Sequence, residues 1–167
     1  MQLVKTINSK QTLWQLTLVE ARRQLAPLLF LADESWVMIE KYLPDSRIWA
    51  VRDERVFVAC LVVKQLTEHR REIKAIAVAP EFQRQGLGRL LINFATELAT
   101  GERQQELLVG TGDGSIVNLS FYLHNGFRFA AIRPNFFKQY PEPIYENGIQ
   151  LRDMIVLNKI LTVSPVS

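Results

Sequence analysis

The chain has 167 residues, 20 basic against 17 acidic, a length that suits one domain with a substantial core over 1–167. Although the pI is 9.2, charges of both signs alternate instead of forming a basic block, so no nucleic-acid partner is implied. No stretch reaches the roughly 18 uninterrupted apolar residues of a membrane span, and Lys5 and Lys10 spoil a signal-peptide pattern, so no membrane partner is expected.

The first 26 residues admit two readings. In the favoured one Thr12 to Val19 alternates Trp14, Leu16 and Leu18 against Gln15 and Thr17 as a strand, and Met1 to Lys10 is an extra N-terminal segment. In the other a first strand near 2–7 precedes a helix to about Leu25. Pro27 and Ala32 to Ser35 frame helical pieces ending before Pro44. Arg47 to Arg52 and Val56 to Leu66 read as a hairpin about Asp53-Glu54, leading into a central strand over 72–79. The second hairpin strand carries the single cysteine, Cys60, in an apolar run that reads as core. One cysteine excludes an internal disulfide and suggests a reducing compartment, the cytoplasm.

A helix follows, with Leu87, Leu90, Leu91, Phe94, Ala95 and Leu98 at three-and-four spacing and a C-cap at Thr100-Gly101. Glu106 to Val109 reads as a buried strand, Gly110 to Gly114 as a glycine-rich turn, and Ser115 onward as another helix. Two strands, 128–137 and 150–160, close the chain around a connection containing Asn147-Gly148. The expected class is α/β of the α+β kind, a mixed sheet covered by helices.

The loop Gln83-Arg84-Gln85-Gly86-Leu87-Gly88 sits where the main helix begins. Backbone N–H groups there lack intrahelical partners and add to the positive end of the helix dipole. Gly86 and Gly88 let a bulky anion reach the amides, while Arg84 and Arg89 supply charge, so a pyrophosphate is the expected guest. A P-loop would need Gly-Lys-Ser/Thr, and the dinucleotide fingerprint would need a third small residue where Leu91 stands. What remains is Gln/Arg-x-x-Gly-x-Gly/Ala, matched by Gln83, Gly86 and Gly88.

At these residues, after a strand ending Ile76-Ala77-Val78, the sequence resembles the GNAT superfamily of acyl-CoA-dependent N-acyltransferases. The resemblance extends to Ser115 through Phe127, with a tyrosine at Tyr122 and a Gly126-Phe127 ending. It implies a mostly antiparallel sheet whose fourth and fifth strands splay between 72–79 and 106–110. It also implies acetyl-CoA as co-substrate and no metal, with the pyrophosphate on the amides of Gln85, Gly86, Leu87, Gly88 and Arg89. The pantetheine arm would pair with backbone at Ile76, Ala77 and Val78. The tail Tyr140 to Met154 is similar to that of a small bacterial subgroup. The other expected partner is an amine acceptor, with a homodimer left open.

Acetyl transfer from a thioester needs a neutral amine, yet alkyl amines have pKa values near 10.4, so a base or water chain must remove a proton. Glu72 is the candidate base; it shares strand parity with Lys74, Ile76 and Val78, and it stands eleven residues before Gln83, where the histone-acetylating branch carries its glutamate. An ordinary strand ion pair is the competing role. Tyr122 matches the tyrosine that serves many members as general acid to the leaving thiolate, with simple packing as its alternative. The amide of Val78 would meet the oxyanion.

Ser115, Asn118 and Tyr122 fall on one helical face, which suggests ligand contact. The family often has an asparagine where Ser115 stands, so pantetheine contact and helix N-capping both remain open for that residue. Asp33, Glu34, Glu142 and Glu146 lie in segments that could attract a cationic acceptor or simply be solvated. A rival reading takes Leu107 to Gly114 as an S-adenosylmethionine loop. Leu108 stands where that site carries a carboxylate, and Arg133 and Asn135 stand where a second acid would fall. A non-catalytic acyl-CoA-binding module is the other alternative, because the loop speaks to binding and only Glu72 and Tyr122 speak to turnover.

Overall fold

A computed structural model describes residues 1–162. Its contacts form two compact units interleaved along the chain: Met1–Gln65 with Ile73–Ala95, and Leu66–Glu72 with Thr96 onward. Among the described residues pairing is mostly antiparallel and five α-helices accompany the strands, which makes the fold mixed α/β as expected. Among the described residues no helix is long and apolar enough to cross a membrane.

The first unit opens with β1 (Gln2–Thr6) and β2 (Gln11–Leu16), paired antiparallel. Asn8 Oδ1 accepts the N–H groups of Lys10 and Gln11, both at 2.9 Å, and this local bonding turns the chain. The first strand of the alternative reading is therefore present, as is its helix ending near Leu25, while the strand expected over 12–19 stops at Leu16. The reason is a capping box: Thr17 Oγ1 accepts from the N–H of Glu20 while Glu20 Oε2 accepts from the N–H of Thr17. Helix α1 (Leu18–Gln24) follows, then α2 (Ala26–Ala32) and α3 (Trp36–Glu40), the last capped by Ser35.

β3 (Ser46–Asp53) and β4 (Val56–Thr67) form the expected hairpin, with Glu54 in left-handed backbone at its tip. β5 (Arg70–Val78) is next in the order β1-β2-β3-β4-β5. Side chains alternate across these strands. Ile48, Cys60 and Val62 join Ala21, Leu29 and Ile39 from the three small helices in one core. On the other face Trp49 meets Phe94 of α4 (Leu87–Gly101) edge-on, with ring centroids 5.4 Å apart. Gly101 belongs to that helix and is not its left-handed cap. Arg103 takes that conformation, at φ 57°, and the N–H of Gln104 returns to the Ala99 carbonyl.

The second unit contains β6 (Glu106–Gly112), α5 (Ile116–His124) and β7 (Arg128–Arg133). After these come β8 (Tyr145–Glu146), β9 (Ile149–Gln150) and β10 (Met154–Ile160). β10 pairs antiparallel with β6 on one side and β7 on the other, so Met154 stands opposite both Gly112 and Arg133. The strand expected from residue 150 begins at Met154 instead, because β8 and β9 close a small hairpin about Asn147-Gly148, both at positive φ.

The glycine run is mostly strand, not turn, since β6 continues to Gly112. A Cβ on Gly110 would lie 2.4 Å from Met154 Sδ, one on Gly112 2.6 Å from Leu151 Cδ1, and one on Gly114 2.9 Å from Ile149 Cβ. These glycines share one parity, and the tail lies against the strip they leave bare. Their spacing thus reflects close packing, a role for which no nucleotide is needed.

Candidate active site

In the first unit the chain leaves β5 through a single 3₁₀ turn, Pro80–Phe82, and two side chains tie the loop that follows. Gln83 Nε2 donates to the Val78 carbonyl at 3.0 Å and Gln85 Nε2 to the Glu81 carbonyl at 3.2 Å. Arg84 and Gly86 are left-handed, at φ 61° and 84°, so the loop alternates backbone hand in the way anion-binding nests do. The first helical N–H to turn back is that of Leu90, which reaches the Gly86 carbonyl at 2.9 Å. The amides of Leu87, Gly88 and Arg89 thus open the helix with the orphan donors of an N-terminus.

A Cβ on Gly86 would meet nothing within 4 Å, so the protein leaves the space before these amides open. Gln83, Arg84, Gln85, Gly86 and Arg89 are exposed, whereas Leu87 is buried and anchors the helix. Open amides, a helix dipole and two exposed guanidinium groups fit a diphosphate. On β5 just before the loop, Ala77 points into the core while Ile76 and Val78 are half-buried.

In the second unit Tyr122 is buried on α5, its ring edge-on to Phe121 at 5.3 Å and to Phe127 at 5.8 Å. Burial pushes its phenol pKa above the ordinary value, so the group holds its proton at neutral pH. Ser115 occupies the N-cap position of α5 and is buried, yet its hydroxyl makes no capping bond. Asn118 is exposed and donates through Nδ2 to Thr111 Oγ1 at 3.4 Å.

Glu72 is only 3% exposed, and Arg133, at the end of β7, donates from Nη1 to its Oε1 at 3.1 Å. The carboxylate is therefore an internal group with a cationic partner and not a solvated strand residue. Arg133 is the residue that sequence reasoning did not pick out. It stands 61 positions from Glu72, and no local pattern links β7 to the start of β5.

Set beside known proteins, residues 44–129 match the family profile described as an acetyltransferase (GNAT) domain. The uncharacterized N-acetyltransferase YvbK of Bacillus subtilis is 36% identical over 139 residues, 83% of this chain and 90% of that protein. A GNAT family acetyltransferase from Elizabethkingia anophelis with acetyl-CoA bound superposes with a TM-score of 0.85 at 37% identity, over 92% of this chain and 100% of the other. A Bacillus subtilis acetyltransferase in complex with CoA gives 0.79 at 34% identity, over 92% and 99%. The chain belongs to the GNAT acetyltransferase family. It is an acetyl-CoA-dependent acyltransferase.

Proposed function

We propose that the chain moves the acetyl group of acetyl-CoA to a primary amine by direct attack within a ternary complex, and that 1–167 works as one catalytic domain in the cytoplasm. The carrying observation is the loop at the start of α4, where Gly86 at φ 84° clears the way to unpaired amides flanked by Arg84 and Arg89. Those amides take the pyrophosphate, and the backbone at Ile76, Ala77 and Val78 takes the pantetheine arm. Ser115 and Asn118 are secondary contacts to that arm.

In the reaction the amine nitrogen forms a C–N bond to the thioester carbonyl carbon and the C–S bond breaks. One ammonium proton leaves toward Glu72, directly or through water, before attack; the departing thiolate takes a proton from Tyr122, which is restored by the second proton that the nitrogen sheds as it becomes an amide. The N–H of Val78 serves the carbonyl oxygen as negative charge grows on it.

The test is CoA-thiol release with a panel of small amines, peptide N-termini and lysine peptides. Tyr122→Phe keeps the ring and removes the proton, so kcat should fall by roughly 10²- to 10⁴-fold with acetyl-CoA affinity little changed. Glu72→Gln should weaken the acidic limb of the kcat/KM profile. Unchanged rates in both variants would leave the chemistry to water and positioning, and tight acetyl-CoA binding without turnover of any amine would make the chain a binding module.

A further inference from the structure

A group of side chains in the second unit, outside the pyrophosphate loop and the proton-transfer pair, gathers around Met154. Arg133 Nη1 lies 3.5 Å from Met154 Sδ while it bonds Glu72. Phe136 and Phe137 pack against Leu108, Met154 and Val156. Tyr140 joins them, its ring centroid 6.5 Å from that of Phe136 and 5.4 Å from that of Phe137. None of the three rings is fully buried. Their backbone is pinned, because the N–H of Asn135 donates to Asp153 Oδ1 at 2.7 Å and that of Phe137 to the Arg152 carbonyl at 3.1 Å.

Both contacts of Arg133 use Nη1, one corner of a guanidinium with five N–H donors, and 37% of the side chain is exposed. Such a planar fork is matched by a carboxylate, which accepts two parallel N–H···O bonds. The rings beside it offer faces and edges to an apolar or aromatic body. The commonest primary amines that also carry a carboxylate and an apolar side chain are the α-amino acids. A polyamine would instead bring a second cation against Arg133, a like-charge contact that disfavours it.

We propose that the acceptor is an α-amino acid with an aromatic or large apolar side chain, its carboxylate on Arg133 and its side chain on Phe136, Phe137 and Tyr140. This rests on amine acetylation as set out above and narrows it to one substrate class. The α-nitrogen forms the amide bond as the C–S bond breaks; of the two protons the ammonium group sheds on becoming an amide, one is released and the other balances the proton taken up by the thiolate, and the carboxylate passes unchanged into the N-acetyl amino acid.

The discriminating pair of acceptors is L-phenylalanine and 2-phenylethylamine, which share ring and amine and differ by the carboxylate. In the wild-type protein kcat/KM for L-phenylalanine should exceed that for 2-phenylethylamine by about tenfold or more, and Arg133→Gln should bring the ratio close to one. That variant also leaves Glu72 without its guanidinium, so total activity and stability can fall. The ratio of two acceptors on one sample is indifferent to such losses, and Arg133→Lys, which keeps the charge without the fork, should retain part of it. Tyr140→Ala should lower the preference for L-phenylalanine over L-alanine by roughly threefold or more. Equal turnover of the first pair, or preference for spermidine over both, overturns the amino-acid assignment while amine acetylation stands. No CoA release with any amine, despite acetyl-CoA binding, overturns both.

Discussion

Gly86 concentrates the binding argument in one residue. Its φ of 84° strains any side chain, and the space a Cβ would enter is open, so under the proposed binding mode a substituent stands in the way of the pyrophosphate and not of the protein. Gly86→Glu adds negative charge at the amides as well, and calorimetry should show acetyl-CoA affinity falling more than about tenfold. Gly86→Ala, with strain but no charge, should fall between the two. Affinity within about twofold for Gly86→Glu would place the pyrophosphate elsewhere. This residue was legible in the sequence, since the glycine pair and the helix it opens are neighbours in the chain. Arg133 was not, because its meeting with Glu72 depends on where two distant strands end.

At the scale of the element, the bare strip along β6 and the turn after it ranks its own substitutions. The contact at Gly110 is the shorter, 2.4 Å to Met154 Sδ, but that sulfur lies near the free end of a flexible side chain that can swing away. At Gly114 the obstacle is Ile149 Cβ, fixed to the backbone of β9. Gly114→Ala should therefore destabilise by about 1–3 kcal/mol in urea unfolding and Gly110→Ala by less, the reverse of what distance alone would rank. The glycines were visible in the sequence, yet their cause lay in residues some 35 to 44 positions on, which a window of neighbours does not reach. The start of α1 is different, because Thr17-x-x-Glu20 is a local signal that competes with the alternation of Trp14, Leu16 and Leu18, and the capping box prevails.

For the molecule as a whole, Cys60 reports on opening. It lies in the core of the first unit, and burial raises its thiol pKa to about 12, so little thiolate exists at pH 8 and reagents have no path to it. Labelling by a disulfide reagent should be negligible in the native protein and complete in denaturant, with a native rate equal to that of unfolding or local opening. Rapid stoichiometric labelling of the native state would mean that the core around Cys60 opens readily. The mixed class was readable because long periodic segments alternate in a distinctive order. Strand ends and small helices were less so, since caps and the Asn147-Gly148 turn set them.

The interleaving of the two units also sets an order of birth. All of the first unit is encoded by Ala95, whereas the second needs Leu66–Glu72 and then Thr96 onward. Folding that proceeds by units from the N-terminus lets a nascent chain close the first around its core while Leu66–Glu72 join the second unit only as Thr96 onward emerges. Glu72 is the last of those residues, and Arg133 is made some sixty codons later. The Glu72–Arg133 ion pair is thus assembled last.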